Sequence, residues 1–513
     1  MVAYLRSRRE FLEATLPGFR SVVFIASVLL THFVAAWRNA GFPTADEHYQ
    51  ILEFAQYKLG YQQPSALAWE FAARIRPALQ PAVAVLAIRV HHSLGVASPF
   101  AIAFSLRVLS ALLAVWVLFE LCARCLPSIR TRSVRLVALY ASFFLWLAPS
   151  VHARFSSDNW GGLWFAAGLC LMLDAAGAPA PRRARSIAFA VAAGAIWSIA
   201  FYSRFQMGIA IAGAVLWLLL VRRGHFVLVA ALAASFAAGC AFNEMLDHWL
   251  YGVWTWVPWN YLQVNLIQGK AATFGVLPWW MIGAYAAIVL IPPFSIALMA
   301  LAAVGSWYAR RHVIVWAAVP FVVVHAAIAH KEARFLIPLL YLAGVWGAVC
   351  VDALPPPLKA WLSRSWRTAP GRASVAAFYA VNVLALVTTV LMPANDSINV
   401  DSWRWEHQQL DPSTVYAVDP VTSRLPANVT NSFYDGGLRV APFTSVAQIE
   451  AGAHAPLFVY YKGVDAPSSL LGRCEPVVRA FPMWLAGRAL FRRMAIVDEA
   501  TICRMNAENP QRP

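Results

Sequence analysis

Charged residues are scarce in this sequence. Only 13% of its 513 residues are Asp, Glu, Lys or Arg, while 60% are hydrophobic. A soluble domain carries roughly twice that charged fraction, so an ordinary water-soluble fold is excluded. The apolar residues gather into runs close to the ~20 needed to cross a bilayer, and the chain reads as a polytopic membrane protein. Acid is scarcer than base: 25 Asp and Glu stand against 41 Lys and Arg, a net charge of +16. The bases fall in short clusters between apolar runs, which is the positive-inside pattern rather than a nucleic-acid-binding stripe. Cysteine is sparse too, with seven in all. Cys122 and Cys125 have CxxC spacing but no second pair, and a structural zinc needs four ligands, so they read as small apolar residues. Cys474 and Cys503 lie in the C-terminal region and could pair if it faces an oxidising compartment. No small-residue cleavage site follows the first apolar run, which therefore reads as a retained span. No internal repeat is visible, which weighs against a transporter.

Hydropathy places spans at roughly 20–38, 99–122, 134–151, 160–175, 186–203, 205–221, 225–245, 279–303, 313–329, 335–352 and 374–393, about eleven crossings. The apolar segment 77–95 carries Arg89, His91 and His92 and opens with Pro77 and Pro81. If it crossed, the basic loops would fall on both sides. If it is an interfacial or re-entrant helix, all of them fall on one side. The second choice puts the N-terminus in the cytoplasm and gathers four polar segments outside: 39–98, 154–158, 246–278 and 330–335. Residues 1–393 then form the transmembrane domain, with its first outer loop at 39–98. Residues 394–513 read as a small extracytoplasmic α/β domain, with strands at 415–418, 456–461 and 500–503 and a basic amphipathic helix at 485–497.

The outer segments hold the candidate chemistry. Asp46-Glu47 opens a helix closed by Gly60. Asp46 is either its N-cap or a general base facing a cavity, and Leu52, Phe54, Ala55 and Leu59 give that helix a membrane-facing side. Glu70 and Arg74, four apart, suit a helical ion pair. The tryptophans of 251–260 and Trp279-Trp280 fit either an interfacial belt or sugar stacking, with Asn260, Gln263 and Asn265 near hydroxyls. His330-Lys-Glu-Ala-Arg334 interrupts two apolar runs, where ionisable residues mark sites. The alternative is a solvated turn. Lys331 and Arg334 share a helix face if the segment is helical, and two cations suit a phosphate. Arg107, Arg154 and Arg204 either serve the site or snorkel to the interface.

In this order the segments resemble glycosyltransferase family 22, the polyprenol- or dolichol-phosphate-mannose-dependent mannosyltransferases, and most closely the branch that adds the third mannose of GPI anchors. Asp46-Glu47, Gln50, Glu53, Trp69-Glu70-Phe71 and Arg76 follow the family's first-loop pattern. Asn260-Tyr-Leu-Gln-Val-Asn265 and Gly275-Val-Leu-Pro278-Trp279 follow its second. His330, Lys331, Glu332, Arg334, Phe335 and Pro338 complete its His-Lys-Glu-x-Arg-Phe-x-x-Pro motif. Thr44-Ala45 stands where the family has His-Pro, Ala68 where it has Thr, and Leu277 where it has His. Pro77, not Ser, follows Arg76. The likeness covers about residues 20–350.

The resemblance implies an all-α GT-C fold and an inverting transfer of mannose from a lipid-phosphate donor to a hydroxyl of a glycan or glycolipid. Asp46 would be the base and Glu47 its orienting partner. His330, Lys331 and Arg334 would hold the donor phosphate. Glu70, Arg76, Asn260, Asn265, Trp279 and Arg204 would contact substrate. No metal, other cofactor or nucleic acid is called for. The same machinery with glucose or arabinose, a transporter, and a non-enzymatic scaffold stand as alternatives. An Ala- and Arg-rich chain with short loops favours a bacterial inner membrane over the endoplasmic reticulum. The sequon at Asn428 does not decide between them.

Overall fold

Helices dominate because lipid offers the backbone no hydrogen-bond partner, so each span must satisfy its own N–H and C=O groups. The computed structural model describes residues 10–177, 183–223, 225–395, 398–410, 415–417, 432–434, 441–442, 458–462, 474–479 and 500–505. The sequon and the helix expected at 485–497 lie outside these. Among the described residues, seven helices are long and apolar enough to cross a membrane: Phe19–Arg38, Pro99–Ser128, Ser157–Gly177, Ala184–Ser203, Phe226–Tyr251, Ala333–Ala353 and Ala369–Leu391. The protein is a multi-pass membrane protein.

The other four expected crossings are also helical, with differences. Arg132–Phe144, Met207–Leu220 and Val313–Ala327 have 13, 14 and 15 residues. At ~1.5 Å per residue they fall short of a ~30 Å hydrocarbon core. The run expected as one span over 279–303 is two helices, Met281–Val289 and Phe294–Tyr308, bent by 114°. Ile291 sits at φ 65° between them, and Pro292 and Pro293 offer no N–H to carry the helix through. Residues 77–95 form the 15-residue helix Leu79–Ser93, too short to span.

The chain divides into two compact units. The first comprises 1–37, 73–83 and 105–391. Small residues let its helices approach closely. A Cβ on Gly213 would run into the Trp316 carbonyl oxygen, and one on Gly305 into Cys350. Two of its buried polar side chains are tied to neighbouring segments: Tyr341 donates to Asn159 Oδ1 at 2.7 Å, and Arg107 Nε donates to the Ala36 carbonyl at 2.7 Å. Arg107, Arg154 and Arg204 are all buried, so none snorkels to an exposed surface.

The second unit comprises 38–72, 84–104 and 392–513. Its five strands are β1 (Val415–Ala417), β2 (Ala441–Pro442), β3 (Phe458–Lys462), β4 (Cys474–Arg479) and β5 (Ala500–Met505), in the order β2-β1-β3-β5-β4. β1 pairs parallel with β2 and β3, while β5 pairs antiparallel with β3 and β4. β1, β3 and β5 were expected from the sequence; β2 and β4 were not. Helix Ile398–Glu406 packs on the sheet, with the Trp403 ring 4.8 Å from Phe458. Cys503 is disulfide-bonded, and the side chain of Cys474 lies outside the described residues. The Asn39 side chain donates to the Met392 carbonyl at 2.6 Å, and Ala394 N–H to the Ala40 carbonyl at 2.8 Å. Gly41, at φ 84°, lies against Asn395 where no side chain fits.

Candidate active site

The acidic pair belongs to the second unit. Its helix begins earlier than the sequence suggested. Thr44, in an extended conformation, is the N-cap residue of Ala45–Glu47, and Asp46 stands inside the first turn. Asp46 is therefore not the cap, although an acid in that turn still suits the helix dipole. The chain continues as a π-helical turn, His48–Leu52, and then as Glu53–Lys58, with Gly60 at φ 84° beyond its end. The wide turn directly after Asp46-Glu47 is a device common at functional sites.

Glu47, His48, Gln50 and Glu53 are buried. Leu52, Phe54 and Ala55, expected on a membrane-facing side, are buried inside the unit instead. Phe54 and Tyr57 pack on Phe71, ring centroids 5.0 and 4.8 Å apart. Gln50 Nε2 donates to Glu70 Oε1 at 2.8 Å. The Glu70–Arg74 helical pair has no helix to sit on, because Trp69–Ala72 ends first and Arg74 adopts φ 51°.

His48 lies flat between the Phe42 and Tyr434 rings, at 4.5 and 5.3 Å, with its Nε2 2.9 Å from Glu53 Oε1. Glu53 also accepts from the Ser432 hydroxyl, from Phe433 N–H at 2.9 Å and from Gln62 Nε2 at 3.2 Å. Burial pushes the Glu53 carboxyl up, but the bonds from His48, Ser432 and Phe433 outweigh it and hold the group below its ordinary value. Burial, with Glu53 and Asp401 beside it, pushes the Tyr49 hydroxyl above the usual tyrosine range.

The basic segment belongs to the first unit. Lys331 and Arg334 do not share a helix face. Helix Val313–Ala327 ends at Ile328, Glu332 is extended, and a 3-10 turn starts only at Ala333. The segment instead lies along residues 275–277. Leu277 N–H donates to the Ala329 carbonyl at 3.0 Å. His330 Nδ1 lies 2.9 Å from the Gly275 carbonyl, and Lys331 Nζ donates to the carbonyls of Leu277, at 2.8 Å, and Ile328. Two motifs 55 residues apart thus form one corner. Lys331 is 3% exposed. Glu332 binds His330 Nε2 at 3.0 Å through Oε1 and takes Arg334 as a fork, with Nη2 at 2.8 Å and Nε at 2.6 Å.

The remaining candidates of this unit are Arg204, Arg76, Asn260, Asn265 and Trp279. Arg204 pairs with Asp158 and lays its guanidinium 5.2 Å from the Phe335 ring. Arg76 is 5.9 Å from the Tyr261 ring. The backbone of 74–78 is held by three side chains. Asn260 donates to the Arg74 carbonyl at 3.2 Å, Tyr251 donates to the Arg76 carbonyl at 2.6 Å, and Asp247 Oδ1 accepts from Ala78 N–H at 2.6 Å. Asn260 therefore serves as a brace, with a second bond to Thr255 at 2.8 Å. Asn265 is half-buried on a π turn, Gln263–Ile267. Trp279 is 73% exposed. Sequence reasoning missed Asp247, Tyr251 and the Glu332 fork. Asp247 carried a signal, an acid at the end of an apolar run.

This fold is shared with ArnT from Cupriavidus metallidurans bound to undecaprenyl phosphate, at a TM-score of 0.51 and 12% identity over 96% of this chain and 99% of that one. It is the GT-C fold expected from the sequence. Residues 22–408 match the Alg9-like mannosyltransferase family, and the chain belongs to that family. GPI mannosyltransferase 3 of Yarrowia lipolytica is 31% identical over 117 residues, 23% of this chain. GPI alpha-1,2-mannosyltransferase 3 of Xenopus laevis is 32% identical over 100 residues, 18% of this chain. The matches span 22% and 18% of those relatives' lengths.

Proposed function

We propose that this protein moves mannose from a polyprenyl- or dolichyl-phosphate mannose to a hydroxyl of a glycan or glycolipid, with inversion at the anomeric carbon. The observation that carries the reading is the corner made by 275–277 and 328–334, where Lys331 and Arg334 are held in place by carbonyls and by Glu332. Pre-positioned cations are what a departing phosphate requires, since charge develops there as the bond breaks. ArnT, of the same fold, binds a lipid phosphate, the chemical group this corner suits.

In this reading the acceptor oxygen attacks the anomeric carbon and its proton passes to Asp46. The bond to the phosphate oxygen breaks, and its electron pair leaves with the lipid phosphate. Glu47 orients Asp46 or the acceptor. His330, Lys331 and Arg334 bind the phosphate. Glu70, Arg76, Asn265 and Trp279 contact substrate, while Asn260 and Arg204 brace the segments around it. The reaction faces the periplasmic or luminal side. Residues 1–393 form the catalytic domain and 394–513 an extracytoplasmic one.

The test is Asp46→Asn in a purified assay with a panel of lipid-phosphate sugars. Transfer should be lost while the protein still inserts and folds. Near-wild-type transfer would remove Asp46 from the mechanism. Transfer of glucose or arabinose in place of mannose would overturn the donor.

A further inference from the structure

Helix Pro356–Arg367 stands apart from the other α-helices described in the first unit, because none of its residues is buried. Its sequence is nevertheless sorted by face. At ~100° per residue, Leu358, Trp361, Leu362 and Trp366 share an arc of about 140°, and Arg364 and Arg367 lie opposite. Trp361 and Trp366 are 58% and 48% exposed. Arg364, Arg367 and the following Arg372 are exposed as well.

The position of this helix limits what can cover it. It ends one residue before the span Ala369–Leu391, so its C-terminal end is tied to the membrane surface. The join is a built corner. The Ser365 carbonyl accepts from Thr368 Oγ1 at 2.7 Å and from Thr368 N–H at 3.3 Å, and Thr368 Oγ1 accepts from Gly371 N–H at 3.1 Å. A Cβ on Gly371 would run into the Ser365 carbonyl oxygen, so the turn closes only with glycine there. A helix fixed in this way, with tryptophans on one face and arginines on the other, matches a surface-lying amphipathic helix.

We propose that Pro356–Arg367 lies in the bilayer interface and binds the headgroups of anionic phospholipids through Arg364, Arg367 and Arg372. The tryptophan face enters the acyl boundary and the arginines stay at headgroup level. Each arginine contributes about a fivefold preference for an anionic surface, which salt weakens. Nothing in this depends on the transfer reaction.

The test uses the full-length protein in nanodiscs of phosphatidylcholine alone or mixed with phosphatidylglycerol. Amide hydrogen exchange is followed over 356–368, with 369–391 as the folding control. Exchange over 356–368 should slow severalfold in the anionic discs. The gain should vanish at high salt and in the Arg364→Gln/Arg367→Gln variant, with the span unchanged. Equal exchange in both lipids, or a gain that survives in the variant, would overturn the proposal. A Gly371→Val variant separates the two parts: it should loosen 356–368 in both lipids, and unchanged exchange there would show that the corner does not hold the helix.

Discussion

His48 Nε2 lies 2.9 Å from Glu53 Oε1, five residues on, across the π turn that follows the acidic pair. Both side chains are buried, and Ser432 and Phe433 close the remaining side of the carboxylate. This arrangement sets the path of the backbone leaving Asp46-Glu47. Glu53→Ala should destabilise the second unit by about 3–5 kcal/mol, since it strands the partners of a buried charge. Limited proteolysis of that unit checks this; unchanged protection would show that Glu53 is dispensable.

The same group makes a prediction about pH. Its folded value lies below the ordinary one, so its stabilisation is complete above the unfolded value of ~4.3 and disappears as pH falls through the lower, folded value. Stability of the second unit should hold from neutral pH down to about 5 and drop below about 4. The acid-induced drop should shrink in Glu53→Gln. An equal drop in that variant would assign it to other groups.

Glu332 bridges His330 and Arg334. On the proposed reading, Glu332→Ala should lower kcat/KM for the donor by about 10²-fold, the cost of a misplaced group near the reacting bond, with little change in thermal stability. Steady-state kinetics over donor concentration reads this. Unchanged kinetics would remove the fork from the phosphate site.

Asp247 accepts from Ala78 N–H. Asp247→Ala should cost about 1–3 kcal/mol by leaving that donor unsatisfied, while Asp247→Asn, which keeps an acceptor oxygen, should cost far less. Unfolding in detergent distinguishes them; equal losses would point to the charge rather than the hydrogen bond.

Gly213 meets the Trp316 carbonyl. Gly213→Leu should force helices Met207–Leu220 and Val313–Ala327 apart, at about 1–3 kcal/mol. A midpoint of unfolding equal to wild type would show that the helices can shift without penalty.

The apolar runs announced all seven helices long enough to span among the described residues, because such spans follow from one local property, hydropathy. The break at Ile291–Pro293 did not show, since a window of ~19 residues averages across it. The two prolines were its only local sign. Thr44 displaced Asp46 from the cap because both are good caps, and only the extended backbone at Thr44 separates them. Lys331 and Arg334 were placed on a helix by spacing alone. What decides their geometry is the distant strip 275–277, and no local pattern encodes that pairing. The same holds for Ser432 and Phe433 on Glu53. The basic corner and the acidic helix were thus legible as residues, but the contacts that set their shape were not.

The carbonyls of Leu277 and Ile328 that secure Lys331 supply dipoles, whereas Glu332 supplies Arg334 with a full opposing charge. A dipole's field fades faster with distance than that of an ion. From a few ångströms away Arg334 and Glu332 largely cancel, so of these groups it is the nearly buried Lys331 ammonium whose charge reaches furthest. On the proposed reading, the donor phosphate is therefore drawn first toward Lys331, and Arg334 meets it in competition with Glu332.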